Sequence, residues 1–143
     1  MKSRLINSAA EKTYVVVFDE GDEPVRGLLQ FASQERLGAS RFTSIGGFSK
    51  VTVGYFDLKK KDYIPIRLRE QVEVVSLTGN IALNDGKPKV HAHVVVAKRD
   101  GTAHGGHLLE ARVRPTLEVL LVESPEDLAR TTDRKTGLAL LRI

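Results

Sequence analysis

Apolar segments typical of strands, each ended by turn residues, recur from one end of this chain to the other. They are rich in β-branched and aromatic residues, as in Tyr14–Phe18 and Val90–Ala97, and such residues fit the pleated surface of a sheet. Asn84-Asp85-Gly86 and Arg99-Asp100-Gly101 are tight-turn signals between segments. The pattern predicts about seven strands, with a further terminal one at 138–143; the seven lie at 14–18, 39–44, 51–56, 63–68, 72–83, 90–97 and 117–122.

One main helix is predicted, at about residues 23–37. Val25, Leu28, Leu29 and Ala32 recur at helical spacing, which places them on one face. Asp22 is the expected N-cap, Pro24 lies in the first turn, and Leu37-Gly38 supplies the stop. Ser124 to Asp127 has the pattern of a capping box and predicts a short second helix. Many strands with one main helix and short helical segments indicate an α+β fold, an antiparallel sheet covered on one side.

Length and cysteine content narrow the class of protein further. A chain of 143 residues has the length of one typical domain, so we expect a single domain over 1–143. The absence of cysteine excludes a disulfide scaffold, a thiol nucleophile, an iron–sulfur centre and a Cys-type zinc finger. No apolar run reaches the ~18 residues of a membrane-spanning helix, and the first residues, MKSRLIN, do not resemble a signal peptide. We expect a cytoplasmic protein.

The net charge of +4 permits nucleic-acid binding without requiring it. Lys59, Lys60 and Lys61 form a basic triplet, and Arg67 and Arg69 follow it. These five cations are the candidate phosphate contacts. The alternative is a solvated hairpin turn, which is what most short charge runs are. One strong helix cannot form a helix-turn-helix pair, so any DNA contact must come from strands or loops.

The four histidines, His91, His93, His104 and His107, lie within 17 residues. His91 and His93 are two apart on a predicted strand, so both side chains point to one face, with Cα atoms ~6–7 Å apart. The turn at Asp100-Gly101 would return His107 beside them. Three imidazoles without a fourth protein ligand are typical of a catalytic zinc with an open position. The alternative is a set of half-buried polar side chains with no metal.

The other two candidate residues near this cluster have less defined roles. His104 lies nearest the turn, and we expect it at the surface or in contact with the metal ligands without being one of them. Glu110 could be a ligand, an acceptor for a ring N–H, or a general base. The sequence leaves these alternatives open.

Four motifs together resemble the plant and prokaryote conserved (PPC) domain, also called the DUF296 domain or PD1-like DNA-binding motif. Glu70–Asn80 is similar to its glutamate-valine-leucine-serine-leucine-x-glycine-asparagine strand. His91–Val95 with Asp100-Gly101 resembles its histidine strand and turn, and Gly105–Leu109 its glycine-glycine-histidine-leucine motif. Phe42–Phe48 is similar to its glycine-containing loop, so the resemblance covers roughly residues 8–125.

The resemblance implies a homotrimer with an antiparallel sheet of about seven strands. It also implies a metal, usually zinc, on His91, His93 and His107. In plants the domain lies beside an AT-hook that binds DNA, whereas Arg112-Val113-Arg114-Pro115 has the wrong interior for that motif.

Three functions follow as hypotheses. The first is a stand-alone trimeric DNA-binding or regulatory module with a three-histidine zinc site. The second is a metal-dependent hydrolase or lyase acting on a small anionic substrate, in which Glu110 or His104 handles the proton. The third is a structural role for the histidines at a subunit interface.

Overall fold

The computed structural model describes residues 1–8 and 10–142, with only the backbone described for 2–8. Within these ranges the chain forms one helix, α1, at Pro24–Glu35. Nine strands accompany it, at Lys2–Ser8 (β1), Lys12–Phe18 (β2), Ala39–Asp57 (β3), Asp62–Leu68 (β4), Val72–Asn84 (β5), Lys87–Ala97 (β6), Ala103–Glu123 (β7), Ala129–Thr132 (β8) and Ala139–Arg142 (β9).

All nine strands belong to one sheet, and every pairing is antiparallel except the short parallel contact of β5 with β8. Strands β3, β5, β6 and β7 pair in a closed circuit: β3 with β5, β5 with β6, β6 with β7, and β7 with β3. The circuit is possible because β3 and β7 are long, at 19 and 21 residues. The sheet therefore curves around its own core.

The core fills the inner face of this sheet. Alternate residues of each strand are buried, as Val16 and Phe18 are on β2 and Val119 and Leu121 on β7, which is the period-two pattern of a strand with one face packed. Helix α1 adds Leu28, Phe31 and Ala32 to the same core. The side chains left on the outer face are available for function.

The predicted α+β class and antiparallel sheet are correct, but the strand count and the helical segments differ. The segments at 39–44 and 51–56 are parts of one continuous β3, which runs through Gly46-Gly47 without a loop. Two short strands, β1 and β8, were not expected. Residues 124–127 lie between β7 and β8 and form no helix, and no short helix accompanies α1 within residues 1–8 and 10–142. Ile143, in the expected terminal strand, lies outside the described residues.

The ends of α1 also differ from the prediction by one or two residues. The N-cap is Glu23 rather than Asp22, because the Glu23 carboxylate accepts from the backbone N–H of Arg26 at 2.7 Å. Asp22 instead accepts from the N–H of Asp19. The helix ends at Glu35, and the C-cap residue Arg36 has a left-handed backbone (φ 55°). No helix in the described part of the chain is long and apolar enough to cross a membrane.

Candidate metal centre

Strand β6 presents two histidines on its outer face. Ala92, Val94 and Val96 are buried in the core, so His91 and His93, which alternate with them, point the other way. His91 is half-buried and His93 is exposed. The predicted placement of both imidazoles on one face is confirmed.

Strand β7 supplies the third histidine. The turn at Asp100-Gly101, where Gly101 has φ 80°, reverses the chain so that β7 runs antiparallel to β6. The register sets His107 directly opposite His93, and directly opposed residues project to the same face. The sheet therefore brings together the three histidines that the sequence singled out.

The three imidazoles lie within reach of a single ion. One ligand nitrogen from each of His91, His93 and His107 lies within 4.8 Å of the others. The Nε2 atoms of His91 and His93 are 3.3 Å apart. Two nitrogens bound to zinc at ~2.0–2.1 Å in tetrahedral geometry would be about 3.3–3.4 Å apart. Two of the ligands are therefore already at tetrahedral zinc spacing.

A buried ring nitrogen supports the same conclusion. Nδ1 of His107 is buried and has no hydrogen-bond partner among the described residues, a costly state for a polar atom. A metal ion bound to one nitrogen of this ring would fix the proton on the other nitrogen. Metal binding therefore decides whether Nδ1 is a metal ligand or a hydrogen-bond donor. The residues present thus fit a metal with three nitrogen ligands.

The surroundings keep two of these rings neutral, the form that binds metal. Burial, and after it the neighbouring His91, His93 and Lys89, together lower the pKa of His107 to about 4. Burial is also the largest cause of the lowered pKa of His91. The charges of Arg130, His93 and Lys89 lower it as well, in that order. All the charged groups that lower the pKa values of His91 and His107 are cations, and no carboxylate is among them.

An aromatic side chain from the β3–β4 hairpin holds His107 in place. The Tyr63 ring stacks on the imidazole, with centroids 4.6 Å apart and planes at 22°. Gly54, which lies opposite His107 on β3, makes room for this ring, because a Cβ there would come within 2.7 Å of it. Burial raises the pKa of Tyr63, so its phenol stays neutral.

Asn80 and Arg130 lie beside the histidines, and neither was predicted from the sequence as a site residue. Asn80 is opposite His91 in the β5–β6 register, and its side-chain carbonyl accepts from the Arg130 guanidinium. Only the inclusion of Asn80 in the Glu70–Asn80 motif could have drawn attention to it. Arg130 lies on β8, an unexpected strand, and carried no signal.

His104 and Glu110 lie outside the group of three ligands. His104 is opposite Val96, a buried residue of β6, so it projects to the other face from His93. Glu110 is opposite Thr52 and accepts a hydrogen bond from its hydroxyl at 3.2 Å. The role of His104 stays a prediction.

The five candidate phosphate contacts do not form one patch. Lys59, Lys60 and Lys61 occupy the β3–β4 turn and are exposed. Arg67 is opposite Thr52, five residue pairs beyond the Asp57–Asp62 pair at the turn, or roughly 17 Å along the strand. Arg67 and Arg69 line a separate cavity of about 400 Å³ that also contains Glu110.

Three comparisons place this fold and site among known proteins. A metal-containing protein from Archaeoglobus fulgidus is 35% identical, with a TM-score of 0.85 over 92% of this chain and 94% of the other. A "Putative DNA-binding protein" from Ralstonia eutropha is 33% identical, with a TM-score of 0.85 over 91% of this chain and 90% of the other. Among curated proteins, the bifunctional protein GlmU of Synechococcus sp. (strain JA-3-3Ab) is 33% identical over 126 residues, 86% of this chain.

The chain spans about a fifth, 19%, of that curated relative, so the similarity concerns one part of a much longer protein. The family match covers most of the chain, from residue 6 to residue 125. It includes both strands that carry His91, His93 and His107. The chain therefore belongs to the Plants and Prokaryotes Conserved (PCC) domain family, the family that its motifs resemble.

Proposed function

We propose that this protein is a homotrimeric PCC-domain protein that binds a divalent metal, zinc, on His91, His93 and His107. The observation that carries the proposal is the group of three ligand nitrogens within 4.8 Å, two of them 3.3 Å apart. The Archaeoglobus fulgidus relative, described as metal-containing, supports it. Three histidines leave one position of a tetrahedral zinc for water or a ligand.

The chemistry at that position would suit a small anion. Zinc with three neutral imidazoles carries a net charge of +2, and Lys89 and Arg130 add to the positive field there. When bound, zinc lowers the pKa of its water to ~7 or polarises a carbonyl group. A hydrolase or lyase acting on a small anionic substrate is therefore the enzymatic form of this proposal. A proton-carrying role for Glu110 or His104 remains a prediction, because both side chains lie outside the group of three.

The trimer is proposed on a different observation. Four exposed apolar side chains lie on the outer sheet surface, which we call the outer apolar face: Ile45 (61% exposed), Val75 (57%), Val95 (41%) and Leu120 (54%). Val95 continues the outward series of His91 and His93 on β6. Covering this face by other copies of the chain would bring the metal centre close to a subunit boundary.

Elemental analysis of the purified protein tests the metal proposal. We expect about one zinc per chain in the wild type and a loss of most of it in His91→Ala and in His107→Ala. His104→Ala is the matched control and should retain its zinc. Equal metal content in all four proteins would contradict the assignment. Chelation followed by size-exclusion chromatography then separates a structural role from a ligand-binding one, since only a structural metal would be needed to hold the trimer.

DNA binding is the second candidate, favoured by the Ralstonia eutropha relative that is named for it. The exposed Lys59, Lys60 and Lys61 would contact phosphates, and a trimer would present three such turns, which strengthens weak single contacts through avidity. Binding to a labelled duplex should weaken steeply as salt is raised, and replacement of the three lysines by glutamate should abolish it. No binding at about 50 mM salt would exclude this candidate.

A further inference from the structure

Arg130 is a buried cation with an incomplete set of partners. Its residue is only 6% exposed. One terminal nitrogen donates to the carbonyl of Ala139 at 2.9 Å and the other donates to the side-chain oxygen of Asn80. The remaining nitrogen, Nε, is buried and has no partner among the described residues. Burying a guanidinium with an unpaired nitrogen costs free energy. The pairing of β8 with β9 does not by itself explain why a cation lies at this position.

The bond from Arg130 fixes how the Asn80 amide is oriented. A guanidinium has donors only, so the side-chain group of Asn80 that faces it must be the carbonyl oxygen. The amide NH2 of Asn80 consequently points away from Arg130. This nitrogen has no acceptor among the described residues, and the Asn80 side chain is half-buried, so the NH2 group is within reach of a ligand.

Asn80 lies beside the candidate metal centre, on the strand next to the one that carries His91 and His93. Asn80 is opposite His91 in the register, and the next pair on the same face of the two strands joins Thr78 to His93. Directly opposed residues on a sheet have Cβ atoms only ~4.5–5.5 Å apart. The Asn80 side chain therefore lies next to His91, one of the three histidines, in a field whose charges are positive.

We propose that Asn80, oriented by Arg130, is the hydrogen-bond donor that binds and orients a small carboxylate or related oxyanion at the open position of the metal. Arg130 is a positioning residue in this arrangement, because it acts through Asn80 and supplies a second, buried positive charge. The inference rests on the proposed metal site and adds to it the residue that selects the ligand. An amide donor also favours a carboxylate over a halide, since a carboxylate can bind the metal with one oxygen and accept from Asn80 with the other.

Cobalt substitution tests the inference without an activity assay. Co²⁺ in place of zinc gives a visible absorption band that responds to the fourth ligand, so acetate and chloride can be titrated by absorbance. Hydrogen bonds to charged groups contribute ~1.5–3 kcal/mol, so we expect Asn80→Ala to weaken acetate binding about tenfold or more. Chloride binding should change much less, because chloride offers no second oxygen to Asn80.

Three further variants complete the test. Asn80→Asp keeps the shape but removes the donor and adds a negative charge, so it should bind acetate more weakly than Asn80→Ala. Arg130→Lys retains the charge but not the forked geometry. Its acetate affinity should lie between that of the wild type and that of Asn80→Ala. Asn84→Ala, on the same strand, is the matched control and should bind acetate as the wild type does.

The outcomes separate this inference from the proposed function. Asn80→Ala should retain its metal, since Asn80 is not a ligand. Metal retained with unchanged acetate affinity would overturn the inference and leave the metal site standing. An equal loss in Asn80→Ala and Asn84→Ala, or an equal loss for acetate and chloride, would also overturn it. A wild type that takes up no metal would overturn the proposed function, and with it this inference.

Discussion

At the scale of single residues, His107 has the most restricted surroundings of the three histidines. It stacks on Tyr63, faces His93 across the β6–β7 pairing, and has a buried Nδ1 without a partner. These contacts hold the imidazole in a position from which it could coordinate a metal ion. They also make the ring costly to protonate, since burial lowers its pKa to about 4.

The lowered pKa of His107 predicts a pH-dependent stability for the metal-free protein. Between pH 6.5 and about 4 the unfolded chain binds a proton on this residue that the folded chain does not, so the stability it contributes is lost as the pH falls through this window. His91 acts in the same direction. Urea unfolding at pH 7, 5.5 and 4.5 should show a smaller loss of stability for His107→Gln than for the wild type. Identical pH profiles would contradict the prediction.

Tyr63 gives a second prediction at this scale. Its ring orients His107, and partners that orient a metal ligand typically contribute 10–100-fold to metal affinity. Tyr63→Ala should therefore weaken zinc binding about tenfold in a competition assay with a chromophoric chelator. Tyr55→Ala, an exposed tyrosine of the same hairpin, should leave the affinity unchanged. A parallel loss in both variants would point to the hairpin as a whole rather than to the stacked ring.

At the scale of elements, the end of β7 is joined to the start of β3 by a buried carboxylate. Glu123 is 9% exposed and accepts from the backbone N–H groups of Gly38 and Ala39, at 2.8 and 3.1 Å, and from the Ser40 hydroxyl. This contact fixes where β3 begins after the helix. It therefore helps to set the register of the β3–β7 pair, on which the position of His107 depends.

Loss of the Glu123 carboxylate should destabilise the fold. Glu123→Ala would leave three donors without their acceptor, and an unsatisfied buried donor costs ~1–3 kcal/mol. We expect the free energy of unfolding to fall by about 3 kcal/mol in urea denaturation. Glu118→Ala, an exposed glutamate of the same strand, should change it by no more than ~0.5 kcal/mol. A similar small effect at both positions would show that Glu123 is not the anchor.

At the scale of the whole molecule, the outer apolar face and the metal centre share one side of the sheet. A protein that exposes Ile45, Val75, Val95 and Leu120 together has a surface of the kind that partners cover. The core lies on the opposite face of the same strands. Association through the outer face would therefore leave the fold of each subunit unchanged.

The proposed trimer predicts a native mass of three times the 15.8 kDa chain. Leu120→Arg would place a charge in the outer apolar face and should shift the native mass spectrum toward monomer, since burying an unpaired charge is unfavourable. Leu58→Arg, at the exposed β3–β4 turn, is the control and should stay trimeric. A wild-type protein that is monomeric at micromolar concentration would contradict the prediction.

Much of the architecture was predictable because it depends on local pattern. Apolar segments rich in β-branched and aromatic residues identified the strands around Val16, Val94 and Val119, and helical spacing identified α1. The ends of elements were less predictable: Glu23 rather than Asp22 caps the helix, because the cap depends on which carboxylate reaches the first-turn N–H groups. Strands β1 and β8 were missed because they form by pairing with neighbouring strands rather than through a strong pattern of their own.

The sequence by itself determined most of the strand pattern, the family resemblance, and the grouping of His91, His93 and His107, because strand periodicity and one turn suffice to place three side chains on one face. Only the tertiary structure decided the surroundings of that set. Tyr63 reaches His107 through the β3–β4 pairing, and Arg130 reaches Asn80 through β8, about 50 residues later in the chain. The same register separated His104 from the site. Contacts between strands that are distant in the chain depend on how the sheet closes, so no local sequence pattern predicts them.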